Sequence, residues 1–143
     1  MPTSTAIPDE LLAAYRSTAF HVSDREFEFV IRIGEPCAEL VLCLNHFGAT
    51  EAAYLTAWNP RSATRSTIEN EAAQAHLEGD LAVGKWRLLH GAGIGVHSEW
   101  PPEPSVLVLG ISRAAACELG QKYGQFASVV ATLCTPPELV FLA

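Results

Sequence analysis

The spacing of apolar and polar residues changes period several times along the chain, and each change predicts an element. Pro8 suits a first helical turn, Asp9 and Glu10 favour the positive end of the helix dipole, and Leu11, Leu12 and Tyr15 give one apolar face. A short helix ending near Ser17 follows from these. Residues 18–22 form a brief extended piece. After Ser23-Asp24-Arg25, the residues Phe27, Phe29, Ile31 and Ile33 alternate with Glu28, Val30 and Arg32, the period of two of a strand. Pro36 and Gly48 bracket a segment in which Leu40, Leu44 and Phe47 recur at helical spacing, so this reads as a helix with a left-handed stop. Residues 52–58 are almost unbroken apolar sequence, as in a strand covered on both faces, and the run breaks at Asn59-Pro60.

Ser66 and Glu69 then make a capping box at the head of a helix reaching about Ala82. Its buried stripe is Ala73, Leu77 and Leu81, with Asn70 facing the same way. Residues 85–90 read as a strand with Trp86, Leu88 and His90 on one side. Gly91-Ala92-Gly93-Ile94-Gly95 and residues 97–104 read as one long irregular connection, which in a compact domain is usually functional or disordered. Residues 105–111 are a central strand. Ser112 caps a helix with Ala115, Leu119 and Tyr123 on one face and Gly124 at its end. Residues 126–133 and 138–142 are two closing strands. The alternation predicts a single compact α/β (α+β) domain over residues 1–143, with residues 1–7 flexible. Its core is a mixed β-sheet of about five to six strands with three to four packed helices.

Composition narrows the picture. A chain of 143 residues has the size of one domain and needs neither disulfide nor structural metal to build a core. Charged residues are only 17% against 49% apolar, so some apolar or neutral surface should stay exposed, which favours a partner surface or a homo-oligomer. The net charge is −7 and the nine basic residues form no run or stripe, which argues against nucleic acid. Cys37, Cys43, Cys117 and Cys134 contain no C-x-x-C pair and lie among Ala, Leu or Val, so they read as buried free thiols. With no leader-like segment and no apolar run of membrane length, the expected setting is cytoplasmic, with no membrane partner.

Few motifs carry chemistry. The glycine run does not open into a helix, so it is not a dinucleotide fingerprint, and no Gly-Lys-Ser/Thr follows to make a P-loop. No cofactor is implied. His90, His97, Glu99 and Glu103 are the one metal constellation that can be drawn, and solvated loop residues are the plainer reading, so no metal is expected. There is no G-x-S-x-G elbow, and Ser62, Ser105 and Cys117 have no evident base. What remains is a set of polar residues at the ends of apolar elements. Asn59, Arg61 and Ser62 follow one strand, Asn70 begins a helix, Trp100, Glu103 and Ser105 precede or open another strand, and Gln125 follows a helix. Ligands bind near strand ends in open α/β sheets, carboxamides and hydroxyls offer donors and acceptors, and Trp offers a flat face. The same residues could equally serve an Asx turn, a helix cap and a plug over the core.

Thr56-Ala57-Trp58-Asn59-Pro60-Arg61-Ser62, Asn70, Trp100-Pro101-Pro102-Glu103-Pro104-Ser105, Tyr123-Gly124-Gln125 and Pro137-Glu138-Leu139-Val140 together resemble a bacterial domain-of-unknown-function family. Its motifs are T-A-x-N-P-x-S, W-P-x-E-P-S and Y/F-G-Q. The resemblance runs from about Ala14 to the C-terminus, with departures at Ala92 and Phe126. It implies a bacterial source and one compact domain, and brings no activity with it. The leading expectation is a cytoplasmic small-molecule-binding or accessory domain with a polar pocket at strand ends. One alternative is an enzyme, hydrolase or transferase, with Glu103 as general base and Arg61 steadying negative charge. The other is a protein–protein interaction module presenting Trp100.

Overall fold

The computed structural model describes residues 9–59, 63–96 and 101–142. In chain order the elements are α1 (Asp9–Ser17), β1 (Ala19–Ser23), β2 (Glu28–Ile31), α2 (Ala38–Phe47), β3 (Glu51–Leu55), α3 (Thr67–Val83), β4 (Arg87–Ile94), β5 (Glu103–Leu109), α4 (Arg113–Lys122), β6 (Ala127–Thr132) and β7 (Glu138–Phe141). The helix ends are set as their residues dictate. Ser66 and Glu69 exchange both capping-box bonds, Ser112 accepts from the Ala115 amide, and Gly48 turns left-handed at φ 69° after α2.

The seven strands form one sheet in the order β2-β1-β4-β5-β3-β6-β7, with β5 at its centre. That exceeds the expected five to six, because even the short 18–22 piece is a full strand paired on both sides. Every neighbouring pair is antiparallel. The alternation of helices and strands nevertheless has its usual cause. The α3 connection joins β3 to β4, which runs parallel to it two places away, and β5 fills the gap; α4 likewise joins β5 to β6 across β3. Parallel crossovers are thus interleaved with antiparallel strands.

Adjacent residues on the central strands enter opposite cores, since side chains alternate across a strand. Ala52, Tyr54, Leu107, Leu109, Val129 and Ala131 pack with Leu40, Cys43 and Leu44 of α2. Ala53, Leu55, Val106, Val108 and Val130 pack with Leu77 and Leu81 of α3 and Ala116 of α4. The Gly34 amide donates to the Pro137 carbonyl at 2.7 Å, so the sheet is curled enough to bring its two edges together.

Two expectations need correction. Gly91 to Ile94 are not loop but the second half of β4, paired with β1 and β5. A Cβ on Gly91 would lie 1.8 Å from the His21 carbonyl oxygen and 3.1 Å from the Tyr54 hydroxyl, which itself donates to that oxygen at 2.7 Å. Glycine is there because two backbones and a tyrosine meet at one point. Of the four thiols only Cys43 is buried; Cys37 and Cys117 are half-buried and Cys134 is exposed. Among the described residues no helix is long and apolar enough to cross a membrane.

Candidate functional site

Where β3 stops at Leu55, its backbone amides lose their strand partners, and side chains replace them one by one. The Ala57 amide donates to Gln74 Oε1 at 2.9 Å, the Trp58 amide to Thr56 Oγ1 at 3.0 Å, and the Asn59 amide to Asn70 Oδ1 at 2.8 Å. Asn70 and Gln74 are one helical turn apart on α3, on the side that carries Leu77 and Leu81 further along. They are 2% and 6% exposed. The capping box fixes the head of α3 and so fixes where both carboxamides point.

The network extends from there. Asn70 Nδ2 donates to Asn59 Oδ1 at 2.8 Å, and Asn59 Oδ1 also accepts from the Arg65 amide at 3.0 Å. Asn59 Nδ2 donates to Glu103 Oε2 at 3.3 Å. Thr56 Oγ1 donates to the Pro104 carbonyl at 2.7 Å, and Gln125 Nε2 donates to the Trp58 carbonyl at 3.2 Å. Asn59 adopts φ 44°, a left-handed conformation that asparagine tolerates better than most residues. Gln74 Nε2 stands apart, buried with no hydrogen-bond partner among the described residues.

Of the residues expected from sequence, Asn59, Asn70, Glu103 and Gln125 are therefore brought together on residues 56–59. Arg61, Ser62 and Trp100 lie outside the described residues. Ser105 does not join the cluster. It is buried, its hydroxyl donates to the Glu103 carbonyl at 2.9 Å, and it alternates with Leu107 and Leu109 on the α2 face, beneath Tyr54. Burial pushes the Tyr54 hydroxyl pKa up, and a hydrogen bond with Ser105 moderates the rise. His90 lies 2.8 Å from Glu78 through Nε2, while His97 and Glu99 lie outside the described residues.

Sequence reasoning missed Thr56 and Gln74, although Gln74 follows Asn70 by one turn on an inward stripe. It also missed an open groove of about 480 Å³ bordered by Arg65, Glu69, His76, Asp80, Lys122 and Tyr123. Arg65 ties this groove to the network through its amide, and the Tyr123 carbonyl lies 3.5 Å from Gln125 Nε2. Lys122 Nζ and the Tyr123 hydroxyl both donate to Asp80 Oδ2, at 2.7 and 2.5 Å. Those bonds, with Lys122 first, hold the Asp80 carboxyl below its ordinary range, while burial and then Asp80 push Tyr123 up to about 12. Arg65 pairs with Glu69 at 3.5 Å, so the charges bordering the groove are internally matched.

The fold and site define an α+β domain whose antiparallel sheet ends in a buried carboxamide network. Residues 55–127 match the family described as a protein of unknown function (DUF3293), and the chain belongs to that family. The matched stretch contains every residue of the network named above. No curated protein and no solved structure matches the chain.

Proposed function

We propose that this domain binds a small molecule at the strand-end network. The observation that carries the reading is convergence: side chains from α3, from β5 and from the turn after α4 all meet residues 56–59. A buried carboxamide is costly unless fully bonded, and closing a turn does not require two of them from a distant helix. The network holds Glu103 half-buried beside Asn59 and positions the chain on either side of it. Arg61 and Ser62, continuous with Asn59, and Trp100, close in sequence to Glu103, would supply further contacts. A reducing, cytoplasmic setting fits four free thiols, one of them exposed.

Thermal unfolding against amino acids, nucleotides, sugar phosphates and neutral amides tests this. A ligand at about 100 times its Kd stabilises by roughly 2.7 kcal/mol, and the gain should shrink in Glu103→Gln and Gln125→Ala. A panel without a single hit, or hits that keep their full effect in both variants, would refute the site.

A further inference from the structure

We propose that the outward face of α3 is a dimerisation surface, on which a second copy of the chain packs its own α3 antiparallel across a two-fold axis.

The helix buries Asn70, Gln74, Leu77 and Leu81 against the sheet. Its 3.6-residue period then carries Ile68, Ala72, Ala75 and Gly79 on the far side, at intervals alternating between four and three, the spacing along which two helices pack. All four are exposed, Ile68 by 81%, and Val83 at the end of the same helix is exposed by 84%. The outward side of a surface helix ordinarily carries its charged residues, whereas here the centre of that side is apolar or small. An apolar face of this kind on a protein surface marks an interaction site.

The occupant follows from how the face matches itself. An isologous pair sets the same surface against itself, so in an antiparallel register Ile68 falls opposite its partner's Gly79, and Ala72 opposite its partner's Ala75. The bulkiest side chain of the face thus meets the position with none, and an added Cβ at Gly79 would touch nothing within 4 Å. A parallel pair would set Ile68 against Ile68 and Gly79 against Gly79, a bulge at one end and a gap at the other.

Charge along one flank agrees with the antiparallel choice. The same register brings Glu69 opposite its partner's His76, and the Arg65 end of one helix beside its partner's Asp80. Arg65 already pairs with Glu69, and Asp80 Oδ2 already accepts from Lys122 and Tyr123. A guanidinium has five donors and a carboxylate about four acceptor positions, so each has room for a further partner. On the other flank Glu71 meets its partner's Glu78, a like-charged contact that His90, 2.8 Å from Glu78, softens. One helix width lies at the small end of specific interfaces, below about 800 Å² per partner, so the dimer forms reversibly.

Sedimentation equilibrium of the full chain from about 10 µM to about 1 mM tests this, in reducing buffer so that the exposed Cys134 forms no crosslink. A monomer–dimer equilibrium is expected within that range. Gly79→Arg fills the place that Ile68 of the second copy needs and should weaken the dimer by at least about 10-fold; arginine favours a helix more than glycine does, so the monomer keeps its fold. Glu71→Lys turns two like-charged contacts into opposite ones and should tighten the dimer by roughly 3- to 10-fold. A wild-type chain that stays monomeric throughout overturns the proposal. A dimer unmoved by Gly79→Arg lies on another surface and overturns it as well. A Glu71→Lys dimer no tighter than wild type overturns the antiparallel pairing.

Discussion

Asn70→Ala would remove the residue on which the strand-end network turns, and the loss can be estimated bond by bond. The Asn59 amide loses its acceptor at 2.8 Å and Asn59 Oδ1 loses a donor at 2.8 Å, although it keeps the Arg65 amide at 3.0 Å. A lost hydrogen bond costs about 1 kcal/mol and a stranded, part-buried N–H adds about 1–3 kcal/mol, so a destabilisation of about 3 kcal/mol is expected. For a domain of this size that is a fall in Tm of about 10 °C. Asn70→Asp sharpens the reasoning, because it keeps the shape and the acceptor for Asn59 but sets oxygen against Asn59 Oδ1. A carboxyl buried there is desolvated, and its second oxygen faces Asn59 Oδ1 instead of a donor, so its folded-state pKa rises above the unfolded value. Only when protonated can it donate to Asn59. The stability of this variant relative to wild type is therefore greatest below the ordinary carboxyl range and falls as pH rises through the raised value. Urea denaturation followed by circular dichroism at about pH 5 and about pH 8 reads both effects. An Asn70→Ala protein within about 0.5 kcal/mol of wild type, the level of an ordinary surface change, would refute the network as described. So would an Asn70→Asp protein no worse at the higher pH.

Three further outcomes are expected. Gly91→Ala drives a Cβ to 1.8 Å from the His21 carbonyl and should cost about 3 kcal/mol or prevent folding, whereas Gly95→Ala, with nothing within 4 Å, should be neutral in urea titrations. Equal stability of the two would contradict the β1–β4 register. The Glu69 carboxyl is held below its ordinary range by the Ser66 hydroxyl first, then the Ser66 amide and Arg65. The advantage of wild type over Glu69→Gln is thus complete above the ordinary carboxylate range and fades as pH falls through the lowered value; an advantage that grows toward acid would count against the capping box. Cys134 should give the fastest thiol reaction with Ellman's reagent, and Cys43, pushed up to about 11 by burial, the slowest. A fast phase that survives Cys134→Ser would reverse that order.

Local chemistry made much of the fold legible. Ser66 with Glu69, Ser112 and Gly48 mark helix ends by satisfying or releasing specific backbone groups, and such signals act within a turn of the residue that carries them. The glycine run misled because its cause is distant in sequence. Nothing within residues 91–95 announces that the His21 carbonyl and the Tyr54 hydroxyl will close on Gly91. Strand direction was hidden for a related reason. The helical crossovers from β3 to β4 and from β5 to β6 do join parallel strands, but the strands that fill the gaps are fixed by pairing alone.

The strand-end network was half legible, and the division follows from what each side chain replaces. A strand ending inside the protein leaves amides that water cannot reach, so polar side chains must come to it, and the polar residues flanking the 52–58 run pointed there. Asn59, Asn70, Glu103 and Gln125 came from that argument, and all four meet residues 56–59. Ser105 satisfied the same rule by position, but its hydroxyl turns back to the Glu103 carbonyl on the face that Leu107 and Leu109 occupy. Gln74 required reading α3 as an inward stripe in which positions 70 and 74 precede Leu77 and Leu81. Two carboxamides in succession on such a stripe cannot be there for packing, since leucine would bury more apolar area at no polar cost. They imply a polar partner inside the molecule. Ala57 and Asn59 account for one end of each carboxamide and Asn59 for the second end of Asn70, which leaves the Gln74 amide nitrogen without a hydrogen-bond partner among the described residues.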